Sequence, residues 1–119
     1  MSIVLSTISR LRGEVWMLNF DPIRGHEQAG TRPALILSVD AFNSGPADLV
    51  IVLPITSRSR GVRSHVEVQP PEGGLSVVSY IKCEDVRSVA KIRLQRRLGE
   101  ISLKTMAEVE DKLRILLDL

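Results

Sequence analysis

The period of the apolar residues divides the chain into a series of short strand-like runs and one helical tail. Gly13 to Phe20 opens the series. Val15 and Met17 fall on one face of an extended segment and Trp16, Leu18 and Phe20 on the other, so both faces are apolar and a deeply packed strand is predicted. Asp21-Pro22 stops it. Ala34 to Val39 and Leu49 to Leu53 read as two further buried strands, the second closed by Pro54. Between them, Asp40 to Pro46 predicts a short helical turn or loop, with Asp40 as N-cap and Gly45-Pro46 as terminator. Val66 to Val68 alternates as a short strand and breaks at the turn Gln69-Pro70-Pro71-Glu72-Gly73-Gly74. Ser76 to Arg87 reads as one longer strand, on which Lys82, Glu84 and Val86 share a face by period two. A last strand runs from Lys91 to Leu98 and ends at Gly99.

From Leu103 the period changes. Leu103, Met106, Val109, Leu113, Leu116 and Leu117 recur at three- and four-residue steps, which predicts a helix over 102–118 with Ser102 as N-cap. Glu108 with Lys112 and Glu110 with Arg114 are spaced to pair along its polar face. The helix reads as structural, packed across an open end of the sheet or against a second subunit. Several short strands, no internal repeat and one terminal helix predict a mainly β fold, a small antiparallel barrel or sandwich. Helices alternate with strands too rarely for a doubly wound parallel sheet.

Composition narrows the class. With 119 residues there is room for one domain. Residues 1–11 lack a clear period and read as a loose leader, leaving 12–119 as the domain. An apolar fraction of 44% and a charged fraction of 25% suit a folded globular chain rather than a disordered one. The one cysteine, Cys83, excludes an intrachain disulfide and fits a reducing cytoplasm. His26, His65 and Cys83 are too scattered for a structural zinc site, so no metal is expected. No apolar run is long enough for a signal peptide or a membrane span, and the expected location is cytoplasmic. The net charge of +2 is uneven: residues 1–99 carry 13 Lys plus Arg against 9 Asp plus Glu, and residues 100–119 carry 3 against 5. That surplus on the strands and loops is compatible with a polyanionic partner without requiring one.

Three places hold candidate chemistry. In Gly25 to Pro33, two glycines frame His26, Glu27, Gln28 and Arg32, and Pro33 biases Arg32 toward an extended backbone. The plainer reading is a turn with a solvent-screened Glu27–Arg32 pair. In Pro54 to His65, Thr56 and Ser57 stand at a strand end with Arg58, Arg60, Arg63 and His65 beyond. Hydroxyls donate to phosphate oxygens and arginines supply charge and fork geometry; the plainer reading is a solvated basic loop whose hydroxyls cap backbone. Lys82 and Glu84 form either a lateral ion pair or half of a proton-transfer site. No G-x-G-x-x-G after a strand, P-loop, H-E-x-x-H or G-x-S-x-G occurs, which removes most nucleotide, metalloprotease and hydrolase readings.

Three ordered motifs carry a resemblance. Arg12-Gly13-Glu14-Val15-Trp16, then Gly25-x-Glu27-Gln28-x-Gly30-x-Arg32-Pro33-Ala34-Leu35, then Pro54-Ile55-Thr56-Ser57, resemble the MazF/PemK (Kid) family of toxin endoribonucleases from type II toxin–antitoxin systems. Lys82 to Ser88 and the closing helix sit in the expected order, so the likeness spans Arg12 to Leu117. It implies an SH3-like barrel of the CcdB/MazF/Kid kind, usually a homodimer, that cuts single-stranded RNA, commonly messenger RNA, at short sequences. It also implies no cofactor, a cognate antitoxin covering the cleft, operator DNA met only through the antitoxin complex, and no membrane.

The family's working residues fall on Arg32 and Thr56, with Glu27 as a further candidate. Lys82 and Glu84 stand where the Kid branch has an arginine and an aspartate acting as acid and base; both charges are kept while the identities differ. Metal-free cleavage uses the ribose 2′-hydroxyl as internal nucleophile and leaves a 2′,3′-cyclic phosphate and a 5′-hydroxyl. Such a site needs a proton acceptor, a proton donor and charge stabilisation. Arg32 and Thr56 suit stabilisation and Glu27 or Glu84 the base. Lys82 suits the donor better than an arginine, whose pKa exceeds about 12. Substrate contacts are expected from His26, Gln28, Ser57, Arg58, Arg60, Arg63 and Arg87. Two other readings stay open: a CcdB-like toxin that binds DNA gyrase, and a non-catalytic nucleic-acid-binding barrel.

Overall fold

The computed structural model describes residues 11–20 and 30–119. Its strands are β1 (Glu14–Phe20), β2 (Gly30–Ile36), β3 (Leu49–Thr56), β4 (His65–Val68), β5 (Ser79–Lys82), β6 (Arg87–Ala90) and β7 (Leu94–Glu100). A one-turn helix α1 (Asp40–Asn43) joins β2 to β3, and helix α2 (Leu103–Leu117) follows β7. Every pairing is antiparallel, in the order β4-β5-β3-β2-β1-β7, with β6 also on β3. The expected fold class holds: a mainly β, antiparallel sheet with a C-terminal helix.

The two-sided apolar pattern of β1 becomes two cores. Val15, Leu35, Leu53, Ile55, Val66, Val68, Ile81 and Ile101 pack on one face, together with Met106, Val109 and Leu113 of α2. Leu18, Phe20, Ala34, Ile36, Val50 and Val52 pack on the other, joined by Leu11, which is buried. Since β4 lies far from β1 along the ladder yet shares its core, the sheet wraps around the first cluster.

The ladder does not close by hydrogen bonds: β4 and β7 end the path. The 3-10 turn Glu72–Gly74, between β4 and β5, docks against β7 instead. At Gly74 (φ +70°) a Cβ would lie 2.0 Å from the Leu98 carbonyl oxygen, and at Gly99 one would lie 2.7 Å from the Gly74 nitrogen. Only glycines allow two backbones this close. The same turn caps α2. Glu72 Oε2 accepts from Ser102 N at 2.9 Å, and Ser102 Oγ accepts from Thr105 N at 3.1 Å, so the predicted N-cap forms.

Several boundaries move. β2 begins at Gly30, before Pro33, and β3 runs through Pro54 to Thr56. Pro54 is the residue at which β3 changes neighbours. Leu49 to Val52 pair with β6 and Ile55-Thr56 with β5, so the missing N–H falls where the ladder is already interrupted. The single strand expected over Ser76 to Arg87 is two strands separated by a turn in which Asp85 N donates to Lys82 O at 3.1 Å. Lys82 and Glu84 therefore do not share a strand face. The strand expected from Lys91 begins at Leu94, after a 3-10 turn at Lys91–Arg93. The N-cap of α1 is Val39 rather than Asp40, whose carboxylate accepts from Arg12 N at 2.8 Å. Along α2 only Met106, Val109 and Leu113 of the six periodic residues are buried. Glu110 binds Arg12 at 2.8 Å and Arg114 binds Asp111 at 2.9 Å, so the expected Glu110–Arg114 pair gives way to a tie between helix and sheet.

Two measurements check this account. Gly74→Ala should lower unfolding free energy by at least about 2 kcal/mol in urea denaturation, through the left-handed backbone and the Leu98 collision together. Burial pushes the Glu72 carboxyl up, but bonds from the Ser102 amide, Thr105 and the Ser102 hydroxyl, with the Lys104 charge, hold it below its ordinary value. A lowered folded-state value means stability present above the unfolded value and lost as pH falls through the folded one. The advantage of wild type over Glu72→Gln should therefore shrink between about pH 5 and about pH 3.

Candidate nucleic-acid interface

The β2–β3 ladder ends at Ala34↔Pro54, and beyond it the strands part: β2 continues along β1 to Gly30 and β3 along β5 to Thr56. Pro33 and Pro54 supply no N–H with which to extend the pairing. A groove of about 1060 Å³ opens there, with Met17, Pro33, Ile55, Leu75 and Leu98 among the apolar residues lining it. Met17 pairs with Pro33 on one side and Arg96 on the other, a row across three strands. Arg32, Arg58, Arg60, Lys82 and Arg96 line the same groove against one carboxylate, Glu84.

The expected residues are distributed as follows. Arg32 stands exposed on β2 opposite Leu18, and Thr56 ends β3 opposite Tyr80. Thr56 Oγ1 accepts from Arg58 N at 3.1 Å, which caps the turn as the plainer reading required and leaves its hydroxyl proton to donate. Ser57 lines the groove with Arg58 and Arg60, whereas Arg63, though exposed, does not. Arg87 does not line it either. Its guanidinium is bound by Asp85 (2.9 and 3.2 Å) and lies over the Phe20 ring, 5.0 Å from the centroid. Lys82 faces Asp85 at 3.7 Å rather than Glu84. His26, Glu27 and Gln28 lie outside the described residues.

Glu84 takes its partners from β4 and the residue before it. Ser64 Oγ donates to Oε1 at 2.6 Å, and His65 Nε2 lies 3.0 Å from Oε2. Burial pushes the carboxyl up, but these bonds outweigh it and hold Glu84 below the ordinary carboxylate range. Arg96 was missed as a site residue, and His65, placed in the basic loop after Thr56, was given no role beside Glu84. The Val66-Glu67-Val68 alternation, extended back one residue, places His65 on a strand, but nothing local links it to a carboxylate 19 positions away. Arg96 enters through the β1–β7 register alone.

Among the described residues no cluster of three or more His, Cys, Asp or Glu is placed to hold a metal ion, and no helix is long and apolar enough to cross a membrane. An apolar floor, a cationic rim, a free hydroxyl and one ionised carboxylate suit a flexible polyanion carrying flat apolar rings, which is the chemistry of a single-stranded nucleic acid.

The class so defined is a small antiparallel β-sheet protein with a cation-lined groove, and comparison with known proteins specifies it further. The chain belongs to the family described as PemK-like, MazF-like toxin of type II toxin–antitoxin system, which matches residues 11–117. It is 34% identical over 113 residues to endoribonuclease MazF9 of Mycobacterium tuberculosis, covering 91% of this chain and 96% of that one. It is 35% identical over 108 residues to endoribonuclease PemK of Escherichia coli, with 89% and 80% covered. The crystal structure of MazF from Deinococcus radiodurans superposes with a TM-score of 0.77 at 36% identity, over 91% of this chain and 96% of that one. A MazE–MazF structure from the same organism gives 0.75 at 37%, over 93% and 97%.

Cys83, between Lys82 and Glu84 in sequence, is excluded from this chemistry. It is 1% exposed, and burial, with a smaller push from the Glu84 charge, raises its thiol to about 12. In the folded protein Cys83 should resist an aromatic disulfide reagent at about pH 8 and react fully once unfolded in guanidinium, the thiolate being the reactive form.

Proposed function

We propose that this chain is the toxin of a type II toxin–antitoxin pair, a sequence-specific endoribonuclease that cleaves single-stranded RNA without a metal. The observation that carries the reading is the convergence of Arg32, Thr56, Lys82 and Glu84 on one cationic groove in a member of this toxin family. The ribose 2′-hydroxyl attacks the adjacent phosphate, so proximity is supplied by the substrate itself. Arg32 and the Thr56 hydroxyl stabilise the charge that develops on the phosphoryl oxygens. Glu84, ionised and lining the groove, accepts the 2′-hydroxyl proton, and Lys82 donates to the departing 5′-oxygen. Glu27 remains the alternative base. Arg58, Arg60 and Arg96 meet flanking phosphates, with Ser57, His26 and Gln28 contacting the bound strand. The products are a 2′,3′-cyclic phosphate and a 5′-hydroxyl.

The protein acts in the cytoplasm as a homodimer held in check by its own antitoxin, and meets operator DNA only in that complex. Two observations support these partners. Ile92 (90% exposed), Leu103 (90%) and Ile115 (77%) offer apolar surface to a second copy. A relative of known structure, MazF of Deinococcus radiodurans, was solved with MazE. Residues 12–119 form the functional domain.

Purified protein incubated with a long single-stranded RNA in EDTA should cut at a recurring short sequence and leave 5′-hydroxyl ends. Arg32→Ala and Thr56→Ala should each lower kcat about 10²- to 10³-fold, the usual cost of losing one transition-state donor. RNA left intact by wild type, or cleavage unchanged in both variants, would sink the assignment. Replacing Arg58 and Arg60 together by Ala should flatten the log–log dependence of RNA affinity on salt by about 1.4, at about 0.7 per phosphate contact.

A further inference from the structure

Among the described residues one carboxylate, Glu84, lies with the cations of the groove, and both its oxygens are held by hydrogen-bond donors. The donors, Ser64 and His65, are consecutive residues at the entry to β4, while Glu84 lies in the turn after β5. Two backbone features lock these segments together: the His65↔Lys82 register and the bond from Cys83 N to Ser64 O at 3.3 Å. Each carboxylate oxygen has about two acceptor positions, so the clamp leaves a lone pair on each for a substrate hydroxyl.

His65 borders the groove, but its imidazole is almost wholly buried. Its side chain is 5% exposed, and Nδ1 is buried with no hydrogen-bond partner. An ionised carboxylate only accepts, so the hydrogen-bond pattern assigns the His65 proton to Nε2. The other ring nitrogen, Nδ1, is then left as an acceptor. One ring nitrogen is engaged and the other enclosed, which leaves His65 no atom with which to exchange a proton with RNA.

We infer that His65 is a positioning residue: its Nε2–H, with the Ser64 hydroxyl on the other oxygen, holds the Glu84 carboxylate ionised and turned toward the groove to take the 2′-hydroxyl proton. The inference rests on the ribonuclease reading for that last step. There the 2′-oxygen loses its proton to Glu84 and bonds to phosphorus, the P–O5′ bond breaks, and the departing oxygen takes a proton from Lys82. The other charges around Glu84 are Lys82 and Asp85 on its own segment, Arg58 and Arg60 from the 57–63 connection, and Lys112 of α2 behind Cys83.

His65→Phe removes the donor at similar volume, while His65→Gln returns an amide N–H near the Nε2 position. His65→Phe should lower kcat about tenfold or more with KM changed less than about twofold, since a positioned base is worth about 10² to 10⁴ in rate. The acid limb of its pH–rate profile should move to higher pH, because the carboxyl loses a bond that favours its charged form. His65→Gln should recover most of the rate and return the limb. Unchanged kcat and acid limb in His65→Phe, or equal losses in both variants, would overturn the inference, the second by showing that the ring rather than its donor matters. Should His65→Phe melt below the assay temperature, Ser64→Ala tests the other half of the clamp and must shift the limb the same way. A carbon-13 NMR titration of the Glu84 carboxyl needs no RNA and separates the two readings. If wild type cuts nothing, the nuclease reading has failed, and a Glu84 midpoint unmoved by His65→Phe overturns this inference as well, whereas a raised midpoint sustains the clamp.

Discussion

The close backbone approach between the Glu72–Gly74 turn and β7 is the contact on which the rest of the molecule depends. A sheet that wraps far enough to share one core between β1 and β4 must still manage its two free ends. Here they meet through glycine backbones rather than a hydrogen-bonded ladder, with the Leu98 carbonyl occupying the space a Gly74 side chain would need. Glu72 then spends its carboxylate on the Ser102 amide, so the turn that joins the ends also starts α2. Leu98 and Gly74 line the groove as well. Sheet closure, helix placement and groove floor are thus consequences of one steric fact.

The groove follows from two prolines. β2 and β3 pair from Ile36↔Val52 to Ala34↔Pro54, and there, where Pro33 and Pro54 supply no N–H, the ladder ends. Past that point each strand follows its other neighbour, β1 or β5, and the space between them is lined by residues from six strands and three connections. Arg32 and Thr56 come from the two parted strand ends, so the separation that opens the groove also brings their guanidinium and hydroxyl to it.

Electrostatics divide the acidic residues of the 82–87 segment into two roles. Asp85 takes Arg87 at 2.9 Å and Lys82 at 3.7 Å, while Glu84 has no lysine or arginine within ion-pair distance among the described residues. A carboxylate neutralised by two cations makes a weak proton acceptor. One held by Ser64 and His65 instead stays ionised without a cation beside it, at the cost of a lower proton affinity. Lys82 and Glu84 stand two apart in sequence, but Lys82 pairs with Asp85 rather than with Glu84.

The amino-acid order alone specifies the parts that depend on local chemistry. Alternation predicts the two-faced β1 because Val15 and Leu18 must go to opposite sides of any extended chain, and both do. The three- and four-residue steps predict α2, and Ser102 caps it, since helix periodicity and capping are properties of one short segment. Arg32, Thr56, Lys82 and Glu84 are legible as residue types at motif spacing. Everything that depends on a distant partner is decided by the tertiary structure. Pro54 reads as a stop until β5 and β6 are seen to exchange places beside it. Arg87 reads as a free cation until Phe20 lies beneath it, and Ser76 to Arg87 reads as one strand until β3 pairs with its two halves separately. His65 reads as the end of a basic loop until a register that pairs it with Lys82 brings Glu84 within 3.0 Å. A side chain's type is written in the chain, but its hydrogen-bond partner is set by which strands lie side by side.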